Sequence, residues 1–127
     1  MPDLDPDNRN PAYLCGRLLS VLDSIQYQAL GSVNTPVGAK YFATASTAPA
    51  AVFGNLLARS RAHLADLQRN QPGAYVNLER RLGDILSQLD TFPRTLSLAD
   101  QGLFALGFYH QRHHDFEAAR THKNSAA

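Results

Sequence analysis

An all-α bundle of about five helices is the fold this sequence predicts, and three observations predict it. Apolar residues recur at spacings of three and four along five separate stretches, the period of a helix with one buried face. No stretch alternates apolar and polar residues long enough for a strand, and no Asn-Gly or Asp-Gly hairpin turn occurs. Prolines and glycines divide the stretches at short intervals, so consecutive helices must pack as neighbours.

The elements follow in order. Residues 1–9 form an acidic leader with Pro2, Pro6 and three aspartates; it has little apolar surface to bury, and a flexible segment is expected. The bundle domain spans 10–119. Asn10-Pro11 is a helix start, an acceptor side chain at the N-cap followed by a proline at N1, where its missing N–H costs nothing. Leu14, Leu18, Val21, Leu22, Ile25 and Ala29 make one apolar face, and Gly31 ends the helix. Thr35-Pro36 repeats the start signal for a shorter helix through Tyr41 and Phe42 to about Ser46. Pro49 opens a third helix with a stripe of Val52, Phe53, Leu56, Leu57, Leu64 and Leu67. The cluster Asn70-Gln71-Pro72-Gly73 reads as a turn. A fourth helix carries Tyr75, Leu78, Leu82, Ile85, Leu86 and Leu89 and stops before Phe92-Pro93. Ser97 followed by Asp100 resembles a capping box at the start of the last helix, which holds Leu103, Phe104, Leu106, Phe108 and Tyr109 and runs to about Ala119. Residues 120–127 are expected to fray.

Composition narrows the function classes. The chain has 127 residues, 44% hydrophobic and 18% charged, enough for one core without staples. Cys15 is the only cysteine, so neither an intrachain disulfide nor a thiolate metal cage is available, which fits a reducing compartment. No apolar run approaches the ~20 residues of a membrane span, and the acidic start lacks the apolar segment of a secretory signal. A cytoplasmic protein without a membrane partner is expected.

Little in the sequence supports catalysis. Cys15 lies beside the stripe of the first helix, where an inert buried thiol is the ordinary outcome. No serine sits in a Gly-x-Ser-x-Gly elbow, and the carboxylates Asp84, Asp90, Asp100 and Asp115 are scattered. Gly102 and Gly107 form no phosphate loop and read as places of close helix approach. His110, His113 and His114 have the spacing that puts His110 and His114 on one helix face, as two-histidine metal sites require. No third ligand converges in sequence, so a polar, partly exposed helix end is the simpler reading. No catalytic residue, metal, cofactor or small-molecule substrate is expected.

The arginines remain. The net charge is +1, yet removing Asp3, Asp5 and Asp7 leaves 12 basic groups against 8 acidic ones (11 less those three), or +4. Ten of the 12 are arginines, whose planar fork suits phosphates and carboxylates. Arg59 and Arg61 flank the third stripe, Arg80 and Arg81 lie between Leu78 and Leu82, and Lys40 precedes Tyr41-Phe42. Arg17 is expected on the first helix away from Leu18 and Leu22, and Arg112 lies on the last. A basic track of this kind can follow a nucleic-acid backbone without reading sequence. Solvated helix faces explain it equally well, with Asp66 placed to pair with Arg59, and Asp84 with Arg80 or Arg81.

Three segments carry a more specific signal: NPAYLCGRLLSVLDSIQYQAL at 10–30, KYFATASTAPAAVFGNLLARSRAHL at 40–64 and FPRTLSLADQGLFALGFYHQRHHDF at 92–116. Together with their spacing they resemble the C-terminal region of the large subunit of type I-C CRISPR surveillance complexes (Cascade), from Asn10 to Phe116. In that family this region is also made separately from an internal start, and a chain opening on its own Met1 looks like that small subunit. The resemblance implies a non-catalytic helical bundle, present in more than one copy and lining the belly of the complex. Its partners would be the backbone subunits that hold the guide RNA, the large subunit, the target DNA and the displaced strand. Pairing supplies sequence specificity in such complexes, while protein contacts steady the opened strands through their backbones. Lys40, Arg59, Arg61, Arg80 and Arg81, then Arg17 and Arg112, are the expected nucleic-acid contacts. The alternative is a structural spacer that braces the backbone subunits without touching DNA.

Overall fold

Pro11–Leu30 forms the helix around which everything else is arranged, α1. In this computed structural model, which describes residues 3–31 and 33–126 and side chains as far as residue 121, every residue from Ala12 to Leu22 is buried. A helix with a single apolar face would leave half of those residues in water. The segment is instead apolar nearly all round, because Tyr13, Cys15 and Leu19 fill the positions between Leu14, Leu18 and Leu22. The other four helices, α2 (Val37–Thr47), α3 (Pro49–Asn70), α4 (Pro72–Leu86) and α5 (Leu98–Ala126), all pack against it. The expected fold class, an all-α bundle of five helices, is the one observed, and the described residues contain no strand.

The closest approach is between α1 and α5, and two glycines make it. A Cβ on Gly107 would lie 2.1 Å from the Tyr13 carbonyl oxygen, and one on Gly16 only 2.0 Å from the Phe104 carbonyl oxygen. Each glycine therefore receives the other helix's backbone. Gly107 fits the sequence expectation, whereas Gly102 has open space where its Cβ would be. Around this crossing Leu14, Leu18, Phe53, Phe104 and Ile85 are fully or almost fully buried, each burial contributing about 1.5–3 kcal/mol.

Several helix ends match the local signals. The Asn10 side chain accepts from the Ala12 N–H at 2.9 Å, with Pro11 at N1. Gly31, at φ 78°, closes α1 with its N–H on the Tyr27 carbonyl. Pro49 sits in the first turn of α3, and the Ser97 hydroxyl accepts the Asp100 N–H at 3.1 Å at the start of α5.

Other ends are set by tertiary partners. For α2 the N-cap is Pro36 rather than Thr35, and the acceptors come from α1: Gln26 takes the Val37 N–H at 2.9 Å and Asp23 the Gly38 N–H at 2.8 Å. The expected four-residue turn at 70–73 contracts to one break at Gln71, with Pro72 and Gly73 already inside α4. Gln28 of α1 reaches the Gln71 side chain at 2.6 Å. Helix α4 ends at Leu86, before the expected Leu89. The connection to α5 then laces the α2–α3 junction: the Ala50 N–H donates to the Pro93 carbonyl, the Leu96 N–H donates to the Thr47 carbonyl, and Phe92 stacks on Phe53 at 5.1 Å.

Both chain ends have described contacts or helix. In the leader, the Asp5 N–H donates to the Tyr13 hydroxyl at 3.0 Å and Leu4 is half-buried. Helix α5 continues to Ala126, and Ala127 lies outside the described residues. No helix among the described residues is long and apolar enough to cross a membrane.

Candidate nucleic-acid interface

The seven basic residues singled out from the sequence occupy different environments. Lys40 and Arg59 come together. Helices α2 and α3 meet at the single non-helical residue Ala48, which brings Tyr41 of α2 against Arg59 of α3. Arg59 Nη1 donates to the Tyr41 hydroxyl at 3.0 Å, and the Lys40 Nζ stands 5.4 Å from the centroid of the same ring. The guanidinium carbon of Arg59 is 6.0 Å from that centroid, so one ring carries two cations. The bond from Arg59 holds the Tyr41 hydroxyl below its ordinary pKa, with the nearby charges adding to it. Arg59 also borders a shallow cleft walled by Leu22, Val37 and Leu56, with His63 beside it. Tyr41 and His63 belong to this patch although sequence periodicity did not single them out for it.

Arg61 is exposed, but two residues along a helix is about 200° of rotation, so it cannot share a face with Arg59. Arg80 is exposed on α4. Arg81 turns inward, half-buried, with its Nε 3.7 Å from Asp115 Oδ1. Arg112 is exposed with its guanidinium 5.2 Å from the Phe116 ring.

Arg17 is where the sequence expectation fails. It lies in the interior at 4% exposure, its Nε donating to Gln111 Oε1 at 2.8 Å and its Nη2 3.8 Å from Asp84 Oδ2. A residue flanked all round by apolar neighbours on a central helix has no solvent side to face. Burial pulls its pKa down, and the charge of Asp84 opposes that most. Gln111 Nε2 in turn donates to Asp115 Oδ1 at 2.9 Å, and burial pushes the Asp115 carboxyl up despite Arg81 nearby. A cavity of about 260 Å³ lies beside these groups under Leu4 and Pro6 of the leader. Two arginines and two carboxylates largely offset one another there, so the cluster joins α1, α4 and α5.

The expected local ion pairs also change partners. Asp66 pairs with Arg69 at 2.5 Å and Asp84 with Arg17, which leaves Arg59 to Tyr41. Among the described residues Lys40, Arg59, Arg61, Arg80 and Arg112 make no ion pair, so their charges are not neutralised within the chain. Such cations attract phosphate or partner carboxylates.

The histidines separate. His110 is buried, its Nδ1 2.9 Å from the Tyr13 hydroxyl, while His114 is exposed on the rim of the cavity. The expected partly exposed helix end therefore does not describe His110, because α5 runs on beyond it and turns that face into the core. Among the described residues no group of three or more His, Cys, Asp or Glu is arranged to hold a metal. Cys15 is fully buried and its thiol is pushed up to about 12, the environment of an inert side chain.

Fold and surface together define a helical bundle with uncompensated cations on four of its five helices and a preassembled Lys-Tyr-Arg patch at the α2–α3 contact. The chain belongs to the CRISPR-associated protein family Cas_Csd1, whose family model matches residues 1–116. It is thus a type I-C Cascade-related protein, as the three quoted segments implied. A search of curated proteins finds no match.

Proposed function

We propose that this chain is a non-catalytic small subunit of a type I-C surveillance complex. It lines the belly of that complex and steadies the guide–target hybrid and the displaced strand through their backbones. The observation that carries this reading is the Lys40–Tyr41–Arg59 cluster: two cations held on one ring, unpaired by carboxylates, at a helix–helix junction. Fixing both cations before binding lowers the ordering cost of gripping a phosphate. Arg61, Arg80 and Arg112 are further unpaired cations on other faces of the bundle, while Arg17 serves the fold. The chain works in the cytoplasm, in more than one copy, against the backbone and large subunits, and needs no cofactor. A single copy binds DNA weakly, and several copies along one strand make the contact effective.

The test compares target binding by the complex assembled with the wild-type chain, without it, and with Lys40→Ala/Arg59→Ala, across a salt series. The double variant is expected to assemble normally and to weaken binding alike on all target sequences. Each lost phosphate contact should reduce the slope of log K against log salt by about 0.7–0.9. An unchanged slope in an assembled complex would favour the bracing reading, in which the subunit touches protein alone. That second reading draws support from the apolar side chains that α5 turns outward.

A further inference from the structure

Helix α5 is apolar on two sides. One side is spent on α1. The opposite side carries Leu98, Leu106, Tyr109 and Phe116, which are 84%, 47%, 47% and 60% exposed, although water-facing helix positions are ordinarily polar. Gly102, Leu106, Tyr109, His113 and Phe116 succeed one another at steps of four, three, four and three, the spacing of a helix seam that packs against a second helix. From Leu98 to Phe116 the seam is about 27 Å long at the helical rise of about 1.5 Å per residue.

The seam is held ready. The Tyr109 ring packs against Phe108 at 5.1 Å and Phe42 at 6.1 Å, so its exposed edge is fixed from behind by α2. Phe116 is backed by the Arg112 guanidinium. Beside the seam Arg112 makes no ion pair among the described residues, whereas Glu117 and Arg120 engage one another. Two copies of this face would each bring an unpaired Arg112 and no free carboxylate to meet it. A complementary surface is apolar along the seam and sets a carboxylate opposite Arg112.

We propose that the outer face of α5 docks an α-helix of another protein in the assembly, one with an apolar seam and an aspartate or glutamate placed opposite Arg112. The proposal rests on the reading that the chain works inside the type I-C complex. It separates two jobs on one bundle. Phe42 faces α5, and Lys40 lies about 200° away on α2 toward the opposite side, so protein docking and the Lys40–Arg59 phosphate contact use different surfaces.

The test assembles the complex with the wild-type chain, with Leu106→Glu/Phe116→Glu, and with a chain carrying photoreactive benzoylphenylalanine at position 109. The expected results are at least a tenfold loss of incorporation for the double variant, with its melting temperature unchanged, and a crosslink from position 109 to a helical segment of another subunit that bears an aspartate or glutamate. Crosslinking to nucleic acid or to a second copy of the chain overturns the proposal. So does undiminished incorporation of the double variant. If the double variant does not fold, the crosslinked segment alone decides. A wild-type chain that stays out of the complex sinks the functional reading and this docking face together, whereas wild-type entry with a misplaced crosslink sinks the docking face alone.

Discussion

Replacing Gly107 with alanine should damage the fold far more than one methyl group suggests. The added Cβ would stand 2.1 Å from the Tyr13 carbonyl oxygen, 3.0 Å from its carbon and 3.2 Å from the Tyr13 Cα. All three are backbone atoms of α1, so no side chain can rotate away. Carbon atoms pack best at about 3.5–4.0 Å, so α1 and α5 must separate by more than about 1 Å at their crossing. Overpacking of this kind costs about 1–3 kcal/mol, and a clash that is backbone on one side belongs near the upper figure. Alanine returns about 1 kcal/mol through helix propensity. The net loss is about 2 kcal/mol, or roughly 8 °C in melting temperature for a domain of this size. Gly102 sits in the same helix with open space around its Cβ position. Gly102→Ala should therefore stabilise the protein by about 0.4–1 kcal/mol. Thermal and urea unfolding followed by far-UV circular dichroism measures both. Opposite signs for two glycines five residues apart are the signature of the close crossing, and a Gly107→Ala protein as stable as wild type would refute it. The same reasoning makes Gly16→Ala costly, since its Cβ would lie 2.0 Å from the Phe104 carbonyl oxygen. Combining the two should cost less than the sum, because one separation relieves both clashes.

Two further outcomes test the buried polar cluster. Arg17→Ala leaves Gln111 Oε1 without its 2.8 Å donor inside the core, which should cost about 2 kcal/mol in urea unfolding; target binding by the assembled complex should keep the wild-type salt slope, and a shallower slope would return Arg17 to the DNA surface. Asp115 has its carboxyl raised by burial, so between the ordinary carboxylate value and the raised one the folded state binds more protons than the unfolded state. Its contribution to stability is therefore greatest at acid pH and falls as pH rises through that window. Asp115→Asn should remove this part of the pH dependence, so the stability difference between variant and wild type must change across the window; a difference that is flat with pH contradicts the burial argument.

The legible and illegible parts of this protein divide by the range of the forces involved. Asn10, Gly31, Pro49 and Ser97 mark helix ends through contacts within a few residues, and such signals read directly from the chain. The stripes of α3 and α4 read equally well, because Phe53, Leu56, Leu78, Leu82 and Ile85 recur at the helical period and are buried. The family was legible too, since long specific strings survive where no single contact can be inferred. Arg17 was not. Its neighbours in sequence permit either an exposed or a buried guanidinium, and Gln111 and Asp84, which satisfy it, lie on other helices. The capping of α2 by Asp23 and Gln26 has the same character. So has Gly16, whose need for a missing side chain exists only where α5 crosses. The pairing of Lys40 with Arg59 through Tyr41 depends on the angle at Ala48. The sequence determined five helices, the ends that local signals mark, the apolar face of most of them and the family. The tertiary structure alone decided which polar side chains entered the core and which cations stayed free, because long-range packing selects the partners that desolvated charges require.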